Sequence, residues 1–138
     1  MTTTLAPEIT YAVLNPIGGS PRATVCSVHG THLGAVRHLS PGRVVGIVPA
    51  GTEEFANVAL TTVQEHIARE VRRILGRRAE VQTLCDATPP AHASWTVVDV
   101  DGDTRPGAPT DALLPLLAAL DDGAGREALV EAIVRAYR

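Results

Sequence analysis

The chain contains no lysine, and all 12 of its basic residues are arginine. They face 15 acidic residues, for a net charge of −3. A duplex-DNA binder carries a basic surplus, so that class is not expected. A small anionic ligand needs only a local group of donors and survives this test. Aromatic residues make up 3%, with one Trp and one Phe. No apolar run approaches the ~18–20 residues of a membrane span, so no membrane partner is expected. Met1 to Glu8 has no basic n-region and no long apolar stretch, so it is not read as a secretory signal. The expected location is the cytoplasm, where Cys26 and Cys85 stay reduced as small core residues. Two cysteines far apart in sequence make no zinc signature, and no metal or cofactor is expected.

What is present suits one domain of ordinary size. The 138 residues are 45% hydrophobic and 20% charged, which excludes a disordered tail. Residues 1–8 read as a flexible lead-in. Ile9–Leu14 is rich in strand formers and ends at Asn15-Pro16 and a glycine pair. Ser20-Pro21 has the order of a helix start. Val25, Val28, Leu33, Val36 and Leu39 then follow at roughly helical spacing. That favours a helix here. The alternative is a strand over Thr24–Val28, forming a hairpin with the first. Arg43–Val48 is a near-continuous apolar run, as in a strand of a parallel sheet.

Ala50-Gly51-Thr52 is expected to open a long helix, with Glu53 and Glu54 in its first turn. Ala59, Val63, Ile67, Val71 and Ile74 would be its apolar stripe, and Gly76 its C-terminal cap. Arg72, Arg73, Arg77 and Arg78 at its end suit the helix dipole. Strands are expected at Glu80–Cys85 and Trp95–Val100, with a Pro89-Pro90 loop between them. Helices follow from Thr110 to about Leu120, disturbed by Pro115, and from Arg126 to Tyr137. This alternation predicts an α/β fold: a single small Rossmann-like three-layer domain, residues 1–138. Its sheet would be mostly parallel, of about four strands, with helices on both faces.

Ligands bind such sheets beyond the carboxyl ends of the strands. Three loops would meet there: Pro16–Pro21, Pro49–Thr52 and Asp101–Arg105. Their glycines (Gly18, Gly19, Gly51, Gly102) let backbone N–H groups approach a ligand, and Ser20, Thr52 and Thr104 add hydroxyls. Arg22 and Arg105 supply forked cationic donors suited to phosphate. Neither the P-loop nor the dinucleotide fingerprint is present. His29-Gly-Thr-His32 looks like the histidine segment of subtilisin-type proteases, but the matching Asp and Ser segments are missing. His29, His32 and His38 are read as surface or half-buried side chains. Asp99, Asp101 and Asp103 are read as a solvated strand end.

Gly18-Gly19-Ser20-Pro21 after a strand, then Pro41-Gly42-Arg43-Val44-Val45, resembles the CRISPR-associated Rossmann-fold (CARF) sensor domains. A second motif of that family, Gly-Gly-Thr-Lys-Pro, has its counterpart in Gly102-Asp103-Thr104-Arg105-Pro106. Asp103 stands there in place of the second Gly, and Arg105 in place of Lys. The resemblance implies a homodimer in antiviral defence that binds a cyclic oligoadenylate; the sequence leaves open whether it acts alone or beside a separate effector protein. Ser20 and Thr104 would touch phosphate or ribose, and Arg105 would neutralise phosphate. Some stand-alone members of that family cut the ring, so the alternative is a ring nuclease, in which a ribose 2′-hydroxyl attacks the adjacent phosphate with Ser20 and Arg105 in place to assist. A ligand-free interaction module is the third expectation, with an apolar face of the C-terminal helix as its source.

Overall fold

The computed structural model describes residues 9–76, 79–86, 93–100, 102–104 and 107–137. The expected lead-in, Arg77, Arg78, Pro89-Pro90, Asp101 and Arg105 lie outside them. The chain divides into two compact units, Met1–Val63 and Gln64–Arg138.

The first unit is an antiparallel sheet in the order β3-β1-β2-β4. Its strands are β1 (Ile9–Pro16), β2 (Arg22–His29), β3 (Val44–Pro49) and β4 (Asn57–Ala59). A short helix, α1 (His32–Arg37), follows β2 and is capped by the Thr31 hydroxyl, which accepts from Gly34 N at 3.0 Å. The sheet curls until Gly46 of β3 bridges Thr62 beyond β4, and Ile47 N donates to Thr61 O at 2.9 Å. Gly46 is required at this closure, because a Cβ would overlap Leu14 and the Thr61 carbonyl. Ala12, Leu14, Ala23, Val25 and Val48 fill the inside of the curl, with Val44, Val58 and Leu60 packed against them.

The second unit begins with α2 (Val63–Leu75). Its stripe of Val63, Ile67, Val71 and Ile74 is buried as expected, and Gly76 ends it with φ +68°. β6 (Ala93–Val100) is central in an antiparallel sheet. β5 (Glu80–Asp86) pairs with it over its length, and β7 (Asp103–Thr104) and β8 (Ala108–Pro109) pair with it in succession. α3 (Thr110–Ala118) contains Pro115, and α4 (Gly125–Tyr137) packs against α3. A run of hydroxyls crosses this unit: Thr83 to Thr96 at 3.1 Å, Thr96 to Thr110 at 3.0 Å, and Ser94 donating to Thr110 at 3.1 Å. Arg73 ties the last turn of α2 down, through Glu70 at 2.7 Å, the Leu117 carbonyl at 3.0 Å and Asp122 at 3.2 Å.

The architecture is therefore α+β with antiparallel sheets, and the expectation of a mostly parallel Rossmann-like sheet is overturned. The helix expected from Pro21 to Leu39 is strand β2, then α1; the hairpin alternative describes it. The helix expected from Thr52 starts instead at Val63, because Asn57–Ala59 pairs with Arg22–Thr24 of β2. The apolar run in β3 does report burial on two sides. The inside of the curl supplies one side and the α1-covered face the other, so no parallel neighbour is needed.

Candidate functional site

The three loops expected to share one edge do not. Pro16 pairs with Ala23 at one end of the first sheet. Pro49 pairs with Ile9 at the other end. The length of β1, about 23 Å at ~3.3 Å per residue, lies between them. Gly18, Gly19 and Ser20 form the β1–β2 turn, where Ser20 Oγ accepts from Arg22 N at 3.2 Å. The Arg22 guanidinium is turned onto β4, donating to Asn57 Oδ1 at 2.7 Å and Asn57 O at 3.0 Å. It thus works as a cross-strand clamp. Gly51 and Thr52 form the turn after β3, and the Thr52 hydroxyl donates to Pro49 O at 2.6 Å. Gly102, with φ +77°, makes the reversal between β6 and β7, and Thr104 pairs with Asp99. These last two belong to the second unit. Antiparallel pairing is the physical reason for the separation: it alternates strand ends between edges, where a parallel sheet would collect them on one.

Two other arrangements gather chemistry. The first lies along the outer edge of β5. Gln64 Oε1 of α2 accepts from Thr83 N at 2.9 Å. In an antiparallel ladder a residue turns both its N–H and its C=O toward the same neighbour. Thr83 therefore faces away from β6, and Val81, two residues earlier, shares that outward set. A cleft of ≈ 300 Å³ runs here between α2 (Gln64, Ala68, Arg69, Arg72) and the start of β5 (Glu80, Val81), with Glu65 at its side. Burial lowers the pKa of neighbouring His66; Glu70 opposes the shift and Arg69 adds to it.

The second arrangement lies on the outer face of the first sheet. Cys26 is an extra residue in β2: Leu14 pairs with Val25, and Val13 already pairs with Ser27. Beyond this bulge Ser27 stands opposite Val13 and His29 opposite Tyr11, so both project toward the face that α1 covers. Ser27 Oγ lies 2.7 Å from His29 Nε2. The rings of His29 and His38 have centroids 4.5 Å apart. His38 Nδ1 lies 2.9 Å from Gly34 O, and a carbonyl only accepts, so Nδ1 carries the proton. His32 is 5% exposed and meets Tyr11 edge-on at 5.8 Å. Burial, then the neighbouring His38, lowers the His29 pKa.

No protein-family model, curated protein or solved structure matches this chain. Among the described residues no helix is long and apolar enough to cross a membrane. Sequence reasoning missed both arrangements. Ser27 and His29 carry no signal of a bulge between them and Val25. The cleft depends on where β5 runs along α2. The repeat of arginines three apart, Arg69 and Arg72, was the one visible sign.

Proposed function

We propose that the chain is a protein-interaction module, whose second unit receives an extended polypeptide as an added strand on the outer edge of β5. The observation that carries this is the Thr83 amide, which faces outward and is met by a side-chain carbonyl. Gln64 stands where the carbonyl of a neighbouring strand would be, and an incoming strand takes its place at the Thr83 amide. α2 forms the far wall of the cleft, as strand-addition sites use a second element to hold the ligand's side chains. Arg69 and Arg72 suit a carboxylate on that peptide, while Glu65 and Glu80 set the limit on its negative charge. Leu129 and Ile133 of α4 are fully buried, so less of the C-terminal helix face expected from sequence is open to a partner than the pattern suggests.

The test is selection of a random-peptide display library on the intact protein, followed by affinity measurement for the enriched peptide. Val81→Pro removes one outward N–H and leaves the pairing with β6 in place. It is expected to weaken binding at least about tenfold, as is Arg72→Glu, the loss of a charge-assisted contact. An absence of enriched sequences, or peptides that bind the Val81→Pro protein equally well, removes the reading.

A second reading keeps nucleotide binding but moves it from the loops to this cleft. The two guanidiniums and a volume at the lower end of small-ligand sites support it. The homodimer, the separate effector and ring cleavage are proposals attached to it. A rise in melting temperature with a cyclic or linear nucleotide, abolished by Arg69→Ala, is its expected signature.

A further inference from the structure

From sequence, His29 and His32 are expected on one helix face, with His38 nearby, as surface or half-buried side chains. The strand, bulge and short helix change that grouping. His32 turns inward against Tyr11, while His29 and His38 come together at the accessible end of α1. Each of the two rings has one nitrogen held by an oxygen: His38 Nδ1 by the Gly34 carbonyl, His29 Nε2 by the Ser27 hydroxyl. That leaves His38 Nε2 and His29 Nδ1 without a hydrogen bond among the described residues. A ring with one nitrogen oriented by an oxygen and the other free is the arrangement of a metal-ligating histidine.

The two rings are close enough to share an ion. A ligating nitrogen about 2.0–2.1 Å from a metal places its ring centroid about 3.2 Å from that metal, so centroids 4.5 Å apart lie within the reach of one ion. Imidazole suits copper, nickel and zinc, and among divalent first-row metals Cu²⁺ binds such ligands most tightly.

We propose that His29 and His38 form a two-imidazole site for a divalent transition metal of the copper(II) or nickel(II) type. Ser27 and the Gly34 carbonyl orient the two rings, and water or a partner's side chain completes the coordination. The site belongs to the first unit alone and does not depend on the peptide reading of the second.

The test titrates Cu²⁺, then Ni²⁺ and Zn²⁺, into the full chain, with calorimetry for affinity and electron paramagnetic resonance for the copper ligands. One equivalent of Cu²⁺ with two coupled imidazole nitrogens is expected. His29→Ala and His38→Ala should each weaken binding at least about tenfold, and Ser27→Ala, acting through His29, should do so about tenfold. His66→Ala should leave it unchanged. Circular dichroism in chelator shows whether the variants are folded; if an alanine variant is not, the glutamine variant is read in its place. Binding weaker than about 100 μM, or an affinity in His29→Ala and His38→Ala equal to that of the parent protein, would show a stacked pair only and overturn the site.

Discussion

Phe55 is the only phenylalanine in the chain, and it is 79% exposed with φ +67°. A side chain in the left-handed region costs about 1–2 kcal/mol. The conformation is held because Phe55 N donates to Val25 O at 2.7 Å and Val25 N donates to Ala56 O at 2.9 Å. Phe55→Gly relieves that cost, offset in part by the greater freedom of glycine in the unfolded chain. Urea unfolding should show a gain of about 0.5–1 kcal/mol. A loss of stability instead would mean that the ring packs on something. None of this was legible in the sequence, where Glu53-Glu54-Phe55 reads as the first turn of a helix. The pull of a nearby strand on a short segment leaves no local pattern. The expected capping glycine at Gly76 was legible, because a left-handed residue after an apolar stripe is a local requirement.

At the level of elements, the bulge in β2 explains the largest misreading. In a regular strand Val25 and Val28 would point to opposite faces. The extra residue Cys26 brings both to the face of Leu14 and Ala12, since these are their partners. A spacing of three on one face imitates a helix, and Leu33 and Val36 of the true helix α1 then continue the pattern. β1, β3, β5, β6, α3 and α4 were legible near their observed ends, because each is specified by its own residues. Which strands pair, and in which direction, is specified by contacts far apart in sequence, and so the loop site was not legible. Deleting Cys26 should restore a regular strand without moving Ser27 or His29 from their partners. We expect a folded protein, destabilised by about 1 kcal/mol, in which nuclear Overhauser contacts still join Tyr11 to His29. Loss of those contacts in a folded variant would show that the bulge itself sets the register.

Across the whole molecule, the two units share one response to acid. His29 in the first and His66 in the second both have pKa values lowered from 6.5 by burial, before the smaller charge effects. The unfolded chain therefore binds more protons than the folded one as pH falls below about 6.5. The stability these groups contribute is present above the unfolded value and is lost as pH falls through the folded values. Melting temperature, measured in chelator, should fall between pH 7.5 and 5 by more than in a His29→Gln, His66→Gln double variant. An equal fall in both proteins would assign acid sensitivity to other groups.

The run of hydroxyls through Thr83, Thr96, Thr110 and Ser94 has a consequence for how the second sheet is assembled. The Thr83 hydroxyl, the one member of the run on β5, reaches Thr96 only when the two stand opposite each other. Sliding β5 by one residue would turn the Thr83 side chain to the other face and break the run at Thr96, which is fully buried. Thr96 would keep Thr110, so the slip costs one hydrogen bond, about 0.5–1.5 kcal/mol. Valine in these positions would pack as well but would tolerate the slip. Thr83 and Thr96 thus act as index marks, one on each strand, that favour a single alignment of β5 on β6.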